Sequence, residues 1–445
     1  MKVNLVARQL SVLWSHSSEK HTAYDLAMQL VDTIPVDWTR TDLRIVDPSC
    51  GRGTLLLAVM QKLVDSGHSP EAAGAMLYGA DNSALQARLA ATALQLAGST
   101  KTNVYCEDSL KRRWNMEFDV VIGNPPYQKA NKTGRDDDNL WSGFVKLSHK
   151  LCKKGGYVAL VTPASWGSLG TNQSDPGSML RRKLFNKKQV IHVDFTAKKH
   201  FPGVGSSFTS HVVRNLPHDP TLKTHIVFDE KTVEADFNDY ICWSKDYNQT
   251  MFFDIINDFR SRSSYPVVQK DPYPASRASM PKKIAAGYYS RTKTNTLPYR
   301  AYHTNAQTHL YTTYRNTFHD QWKLVFSYSG TWSAEVTNDC SLTDASLCIL
   351  CDSQAAADSV KSVMTSEPVT FLIKKVFKWS GYYSGLFIGM IPELPRDRIY
   401  SNEDVYQLLF TPAHASQLKA IIEAENNKPK KVKKANTKTK GKKTP

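Results

Sequence analysis

The stretch LRIVDPSCGRGTLL, residues 43–56, decides the fold class. Its β-branched, apolar start predicts a buried strand, and its leucine-rich end predicts the beginning of a helix. Between them Asp47 ends the strand, while Gly51 and Gly53 allow the backbone to turn tightly and to approach a ligand closely. An acid at a strand end, followed by glycines and a helix, favours a nucleotide-like ligand, although a plain strand-to-helix turn has the same pattern.

Short apolar runs alternate with helical stretches up to about residue 215, which predicts a parallel sheet with helices on both faces. The predicted strands cover residues 43–49, 75–81, 102–108, 118–124 and 157–163, and the predicted helices cover 53–67, 83–98 and 139–155. Asp81 ends the second strand, where it can bind ribose hydroxyls, and Asp108 ends the third, where it can accept a hydrogen bond from an adenine amine. Three acids at consecutive strand ends strengthen the prediction of a nucleotide-like ligand.

The fourth predicted strand runs into VVIGNPPYQK, residues 120–129. Two successive prolines cannot donate backbone hydrogen bonds, so the strand must end at Asn124. Asn124 and Tyr127 are then displayed at the carboxyl end of the strand, which is where open α/β sheets bind their ligands. The segment Asn124-Pro125-Pro126-Tyr127 therefore predicts a platform with hydrogen-bond acceptors and an aromatic ring.

The chain of 445 residues carries a formal net charge of +16 and has a pI near 9.3. Nine lysines and no acid lie between Lys428 and Pro445, so about +7 remains for the rest of the chain. This tail has almost nothing to bury, which predicts disorder and a non-specific tether to phosphates. A polyanionic partner is expected for the whole protein.

Beyond about residue 215 the alternation fades, and aromatic and basic residues mix. We therefore predict three regions: an α/β domain over residues 1–215, a mixed α+β domain over 216–425, and a disordered, lysine-rich tail over 426–445. Candidate contacts with the polyanionic partner in the second domain are Lys374, Lys375, Lys378, Trp379, Tyr382 and Tyr383, although a solvated strand with a packed aromatic face explains them nearly as well.

DPSCGRGTLL, GADN, EDSL and NPPY, in this order and spacing, resemble the amino-methylating DNA methyltransferases that use S-adenosylmethionine. The chain is more closely similar to the adenine-N6 group with an Eco57I-type methylase domain. LWSGFVKLSHKLCKKGGYVALVTPASW and HVDFTAKKHFPGVGSSFT resemble further segments of that domain. The resemblance covers about residues 20–215; Arg52 stands where the family has a small residue, and Ala23 replaces the proline of an upstream Thr-Pro motif.

The resemblance implies a doubly wound, Rossmann-like methyltransferase sheet and transfer of a methyl group to N6 of a flipped adenine in duplex DNA. It also implies that residues 1–215 form the S-adenosylmethionine-dependent catalytic domain and that residues 216–425 form a DNA target-recognition domain. Catalysis is assigned to Asn124, Pro125, Pro126 and Tyr127. Cofactor binding is assigned to Thr22, Asp47, Pro48, Cys50, Gly51, Gly53, Asp81, Asn82, Asp108 and Asn124. Base or DNA contacts are assigned to Tyr127, Phe201, Phe208, Lys375, Lys378, Trp379 and Tyr382, and Phe195 is a further candidate for the base pocket.

Several alternatives remain open at this point. The same fold can act on cytosine N4, on RNA or on a protein glutamine, and a non-catalytic DNA-binding protein can keep a vestigial cofactor site. Asp219 and the segment Asp229–Lys231 loosely echo a nuclease pattern, and Cys348 and Cys351 have the spacing of half a zinc site. The apolar run around these cysteines predicts a buried strand instead, and we expect no metal.

The expected setting is the cytoplasm of a bacterial or phage-infected cell, because the sequence has no signal-peptide pattern and no run long enough to span a bilayer. Double-stranded DNA is the expected partner, a restriction endonuclease is a candidate partner, and no membrane contact is expected. The chain is expected to be a monomer or a weak dimer.

Overall fold

A computed structural model gives the structure of the protein. It describes residues 2–15, 22–127, 140–167, 176–201, 208–228, 232–239, 251–268, 280–303, 305–315, 317–327, 331–343, 346–377, 383 and 385–428. The chain divides into two compact units. Unit 1 contains Met1–Ser261 and Val376–Met390, and unit 2 contains Arg262–Lys375 and Ile391–Pro445.

The strands of the described residues are numbered in chain order. They are β1 (Ile45–Asp47), β2 (Leu77–Asp81), β3 (Asn103–Cys106), β4 (Phe118–Gly123), β5 (Cys152–Pro163), β6 (Lys188–Asp194), β7 (Phe208–Pro217), β8 (Thr224–Val227), β9 (Thr232–Ala235), β10 (Val267–Val268), β11 (Tyr289–Ser290), β12 (Tyr299–His303), β13 (Asn305–Thr312), β14 (Lys323–Phe326), β15 (Ala334–Thr337), β16 (Ser341–Leu342) and β17 (Leu347–Leu350).

The α-helices are numbered in the same way. They are α1 (Lys2–Ser15), α2 (Tyr24–Asp32), α3 (Thr54–Asp65), α4 (Pro70–Ala75), α5 (Ala84–Leu96), α6 (Trp141–Leu151), α7 (Pro176–Lys183), α8 (Met251–Ser261), α9 (Met280–Ala285), α10 (Gln354–Met364), α11 (Glu367–Phe371), α12 (Gly385–Ile388), α13 (Asn402–Leu409) and α14 (Pro412–Asn426).

The described residues of unit 1 form a nine-stranded sheet in the order β3-β2-β1-β4-β5-β7-β6-β8-β9. Strands β1 to β5 pair with one another in parallel, whereas β7 is antiparallel to both of its neighbours, β5 and β6. The five strands predicted from sequence are confirmed as β1 to β5, and the three predicted helices correspond to α3, α5 and α6. The prediction of helix over residues 152–155 is wrong, because α6 ends at Leu151 and these residues begin β5. The antiparallel strands beyond β5 make the sheet mixed rather than purely parallel.

Apolar side chains cover both faces of this sheet, as expected for strands buried on both sides. On β4, Val120 and Ile122 pack into a cluster with α1, α2, α3 and α5, whereas Val121 packs into a second cluster with α6, α7 and α8. All three side chains are fully buried. The alternation follows from the period of two of a strand, so the β-branched run seen in the sequence supplies both layers of the core.

The strand order reverses between β1 and β4. β1 pairs with β2 on one side and with β4 on the other, with Val46 opposite Val121. The chain therefore leaves these neighbouring strands in opposite directions, and a crevice opens at their carboxyl ends. Asp47 ends β1 and Asn124 follows β4, so the fold brings both predicted site residues to this crevice.

Unit 2 contains two four-stranded sheets among its described residues, in the orders β10-β17-β14-β15 and β11-β13-β12-β16. The predicted buried strand around Cys348 is confirmed as β17, where Cys348 is fully buried. The Nζ of Lys323, also buried, donates hydrogen bonds to the carbonyls of Phe318, His319 and Gln321 at 2.7, 3.0 and 2.9 Å. Three carbonyl partners allow an ammonium group to be buried and fix the turn before β14.

Most of the predicted tail, residues 429–445, lies outside the described residues, and α14 extends to Asn426. The predicted domain boundaries at residues 215 and 425 stay predictions. Within the described ranges, none of the helices combines the length and the apolarity that a membrane span requires.

Candidate active site

A cavity of about 760 Å³ lies at the carboxyl ends of β1, β2 and β4 in unit 1. Most of the cofactor-site residues predicted from sequence line it. They are Thr22, Asp47, Pro48, Cys50, Gly51, Asp81, Asn82, Asp108 and Asn124, and Pro126 lines it as well. Gly53, Pro125 and Tyr127 adjoin these residues in the chain without lining the cavity. The volume lies within the range of small-molecule sites in proteins.

The loop between β1 and α3 turns back over the strand ends through two glycines with positive φ. Gly51 has a φ of +51°, and no heavy atom lies within 4 Å of the position that a Cβ would occupy, so this residue faces open space. Gly53 has a φ of +87°, and a Cβ there would come within 3.1 Å of Ala90 on α5. The first glycine therefore leaves the cavity open, and the second allows α3 to begin close to α5.

Asp47 is the most deeply buried acid of the cavity, at 1% exposure. Its Oδ1 accepts a hydrogen bond from the backbone N–H of Ser49 at 2.9 Å. Burial raises the pKa of Asp47 to about 7, the Ser49 hydrogen bonds oppose the rise, and the negative charge of Asp81 adds to it. A buried carboxylate with so few donors is suited to a cationic ligand, whose charge would favour the ionised form.

Asp81 and Asp108 hold the neighbouring turns. The two carboxylate oxygens of Asp81 accept from the backbone N–H groups of Gly51 at 3.1 Å and Ser83 at 2.8 Å. The Oδ1 of Asp108 accepts from the N–H of Leu110 at 3.1 Å. Asp81 therefore ties the glycine loop to the end of β2, so one carboxylate both shapes the cavity and lines it.

The side-chain amide of Asn124 is held at both ends. Its Nδ2 donates to Oγ1 of Thr22 at 3.0 Å, and its Oδ1 accepts from the hydroxyl of Tyr127 at 2.5 Å. Thr22 is separated from Asn124 by 102 residues in the chain, so the fold alone brings this pair together. Burial raises the pKa of the Tyr127 phenol, which keeps it protonated and able to donate.

Aromatic rings lie beside Tyr127. The Phe208 ring packs on Tyr127, and Phe201 packs on Phe208 with centroids 4.4 Å apart. Phe195, by contrast, stacks on Phe228 at 5.6 Å in the opposite core cluster. The structure thus groups two of the three candidate phenylalanines with Tyr127.

Three of the six candidate DNA contacts in the C-terminal half lie within the described residues. Lys374 and Lys375 are exposed in a π-helical turn, Leu372–Val376, and the Nζ of Lys375 lies 3.6 Å from Glu425. Tyr383 is buried. Lys378, Trp379 and Tyr382 lie outside the described residues. Of the suggested nuclease residues, Asp219 accepts from Thr221 in a local turn, and residues 229–231 lie outside the described ranges.

Sequence reasoning missed several walls of the cavity. Leu110, 41% exposed, and Phe144, on the first turn of α6, provide apolar surface, and Leu140 precedes that helix. Gln86 on α5 accepts from Nε of Arg52 at 3.3 Å. Leu110 could have been predicted as a cavity residue, because it is an apolar residue that comes just after the strand-end acid Asp108. Phe144 could not, because its place in the cavity depends on how α6 packs.

A sheet whose strand order reverses beside a cavity walled by strand-end carboxylates defines a doubly wound α/β protein with a nucleotide-like ligand site. Comparison with known proteins narrows this class. Residues 76–201 match the family described as Eco57I restriction-modification methylase. The resemblance noted in the sequence is confirmed over that segment.

Two curated relatives are similar to parts of the chain. An uncharacterized adenine-specific methylase of Mycoplasma pneumoniae is 37% identical over 92 residues, which cover 20% of this chain and 21% of the relative. The type I restriction enzyme MjaVII methylase subunit of Methanocaldococcus jannaschii is 30% identical over 144 residues, which cover 31% and 23%. The chain thus spans less than a quarter of the length of either relative.

A solved structure has a similar fold. The ATP-dependent type ISP restriction-modification enzyme LlaBIII bound to DNA aligns with a TM-score of 0.50 at 10% identity. The alignment covers 96% of this chain and 41% of that one. At this level of identity the similarity concerns the fold alone.

Proposed function

We propose that the protein is a site-specific DNA methyltransferase that transfers a methyl group from S-adenosylmethionine to N6 of an adenine flipped out of duplex DNA. One observation carries the proposal: Asn124 lines the same cavity as Asp47, Asp81 and Asp108. A methyl donor held by the strand-end acids and an amine acceptor held at Asn124 can therefore meet in one cavity, where proximity and orientation lower the barrier.

The cavity residues fit S-adenosylmethionine. The cavity volume of about 760 Å³ suits a nucleoside-sized ligand, and Gly51 leaves the cavity open. Asp47 provides a buried carboxylate for a cationic group, Asp81 provides oxygens for ribose hydroxyls, and Asp108 can accept from an adenine amine. When bound, S-adenosylmethionine supplies an electrophilic methyl group on a sulfonium centre.

Asn124 and Pro125 prepare the acceptor nitrogen. The N6 amine of adenine is a poor nucleophile because its lone pair is delocalised into the ring. The Oδ1 of Asn124 and the backbone carbonyl of Pro125 each accept one N6–H, which favours a more tetrahedral nitrogen and directs its lone pair away from the ring. The proton that N6 loses on methylation passes to solvent. The absence of a cysteine beside the motif in the sequence agrees with direct transfer.

Tyr127 supports the flipped base. An adenine cannot be methylated inside the stack, so it must be extruded into a pocket. The Tyr127 ring offers a stacking surface worth on the order of 1 to 3 kcal/mol, by analogy with single-strand binders. The net charge of +16 favours association with the phosphate backbone of duplex DNA.

Membership in, or derivation from, a restriction-modification system is part of this proposal. The names of the matched family and of the M. jannaschii relative support it. A partner restriction endonuclease is compatible with such a system.

Labelled S-adenosylmethionine tests the proposal directly. The purified full chain is incubated with duplex DNA, single-stranded DNA, RNA and protein extract, and methylated bases are then identified by mass spectrometry. We expect N6-methyladenine in duplex DNA, confined to one sequence context when the DNA of expressing cells is mapped. Asn124→Ala serves as the matched inactive variant.

Label on cytosine N4, on RNA or on glutamine would replace the proposed acceptor while keeping the cofactor. Binding of cofactor and DNA without transfer under any condition would favour a non-catalytic DNA-binding protein. No cofactor binding at all would overturn the assignment of the cavity.

A further inference from the structure

We propose that Thr22 is a positioning residue that fixes the orientation of the Asn124 amide, a role distinct from cofactor contact. The proposal rests on the proposed function for the importance of that amide. It rests on the geometry for everything else: the Nδ2 of Asn124 donates to Oγ1 of Thr22 at 3.0 Å, and Thr22 is only 9% exposed.

The orientation of this amide decides whether the site can act on an amine. Rotation of the amide by half a turn exchanges Oδ1 and Nδ2, which have similar size but opposite hydrogen-bonding roles. With Oδ1 toward the acceptor, the amide accepts an N6–H. With Nδ2 there, two donors face each other, and the contact becomes repulsive.

Two hydroxyl groups hold the amide in the observed orientation. The protonated phenol of Tyr127 donates to Oδ1 at 2.5 Å, which leaves Nδ2 facing Thr22. A carbonyl oxygen has two lone pairs, so Oδ1 retains one for the incoming amine. The two hydroxyl groups, which we call the clamp, therefore fix the position of Oδ1 and leave one of its lone pairs free to accept a hydrogen bond.

The backbone of Thr22 is anchored independently of the catalytic loop. Thr22 lies two residues before α2, whose side chains Leu26, Ala27 and Leu30 are buried at 0–1% exposure in the core of unit 1. Asn124 follows β4 and precedes two prolines, so its backbone is restrained as well. A hydrogen bond between two restrained segments preorganises the amide at little entropic cost.

The test compares Thr22→Val, which keeps the shape and removes the hydroxyl, with Thr22→Ser, which keeps the hydroxyl. Single-turnover methylation at saturating cofactor should fall at least about tenfold in Thr22→Val, as for loss of one buried hydrogen bond with its partner left unpaired. Thr22→Ser should stay within about threefold of wild type. Calorimetric affinity for S-adenosylmethionine should change less than about twofold in both variants.

A second readout does not depend on catalysis. The side-chain amide signal of Asn124 is identified in nitrogen-edited NMR spectra of the full chain as the signal missing from Asn124→Ala. This signal should shift and broaden in Thr22→Val and return toward its wild-type position in Thr22→Ser.

The outcomes separate the inference from the proposed function. An unchanged Asn124 signal and an unchanged single-turnover rate in Thr22→Val would overturn the inference. A loss confined to cofactor affinity, with the rate at saturation preserved, would also overturn it in favour of cofactor contact. A wild-type chain that methylates nothing would overturn the proposed function, and the NMR comparison would still decide the clamp.

Discussion

The Phe208 ring packs directly on the Tyr127 ring, with centroids 5.0 Å apart and planes tilted by 36°. A base inserted between two rings needs a separation of about 7 Å, because each stacking contact takes about 3.5 Å. Phe208 therefore supports Tyr127 in this structure, with no slot between them. Phe208 can form the second face of a base pocket, as suggested by the sequence, only if the two rings separate.

Tyr127→Ala should hold the target base outside the duplex less well, because it removes the stacking surface. With 2-aminopurine at the target position, the increase in fluorescence on binding should be clearly smaller than for wild type. Phe208→Leu should have a smaller effect on this increase, because it loosens the packing behind the Tyr127 ring but keeps the ring itself. Tyr288→Ala, at an exposed tyrosine of unit 2, is the control. Wild-type brightening by Tyr127→Ala would exclude its stacking role.

Asn124→Ala should reduce methylation by at least about a hundredfold, in line with the loss of one preorganised polar contact. The contact strengthens as N6 becomes tetrahedral, so it lowers the barrier more than it tightens ground-state binding. Affinities for cofactor and for duplex DNA should stay near wild type. Full single-turnover activity of the variant would remove the basis for an amino-methyltransferase.

The raised pKa of Asp47 predicts pH-dependent cofactor binding. Only the ionised carboxylate attracts a cationic group, and its pKa near 7 in the free protein means that protons compete with the ligand below that pH. Affinity for S-adenosylmethionine should therefore fall by up to about tenfold per pH unit below pH 7 and level off above it. Calorimetry between pH 5.5 and 8.5 measures this, and Asp47→Asn should bind weakly with no such slope.

Ionisation of Asp47, which favours cofactor binding, should lower the stability of the ligand-free protein. Because folding raises the pKa of Asp47 from about 4 to about 7, its stability contribution is present below the unfolded value and is lost as pH rises through 7. Asp47→Asn should therefore stabilise the ligand-free protein at pH 8 by up to about 4 kcal/mol in denaturant unfolding. Asp254→Asn, at an exposed position in the first turn of α8, should change stability by less than about 1 kcal/mol.

Local patterns were sufficient to predict the ends of β1, β2 and β4. Asp47, Asp81 and Asn124 are each adjacent in sequence to a β-branched or apolar run, so their position at a strand end follows from the run itself. The parallel order then brings all three to one edge of the sheet. This is why most residues predicted for the cofactor site line a single cavity.

Contacts between distant segments were not predictable in the same way. The Thr22–Asn124 hydrogen bond depends on how α2 packs against α3 and β5, and the contribution of Phe144 depends on the position of α6. The single sequence also gave no sign that the strand Phe208–Pro217 inserts antiparallel between β5 and β6. Such arrangements depend on which segments are buried against each other in three dimensions. Hydrophobic periodicity within one segment carries no information about that.

The lysine-rich tail should raise DNA affinity without setting the recognition sequence. Removing residues 428–445 deletes nine lysines, so binding at low salt should weaken and the slope of log K against log salt should become shallower. A tail of the same length with glutamine at the nine positions separates charge from length and should behave like the truncation. If the truncated protein methylated a different sequence, the tail would belong to base readout.

Two histidines are buried in the second core cluster of unit 1, beside Phe185. His211 is 1% exposed on β7 and His149 is 9% exposed on α6, and the rings of both contact Phe185. None of their ring nitrogens has a hydrogen-bond partner among the described residues. Burial lowers the pKa of each to about 3; the nearby charge of Lys188 adds to the effect on His149, and His149 adds to the effect on His211.

These histidines should make the protein acid-labile. Between pH 6.5 and pH 3 the unfolded chain binds protons that the folded chain excludes, so stability is complete above pH 6.5 and falls as the pH decreases. The expected loss is about 2 kcal/mol per histidine at pH 5. His211→Leu should flatten the stability–pH curve in urea unfolding over this interval, because it removes one titrating ring and keeps an apolar side chain among Trp166 and Phe185. An unchanged stability–pH curve for His211→Leu would show that this buried ring is not a cause of the acid lability.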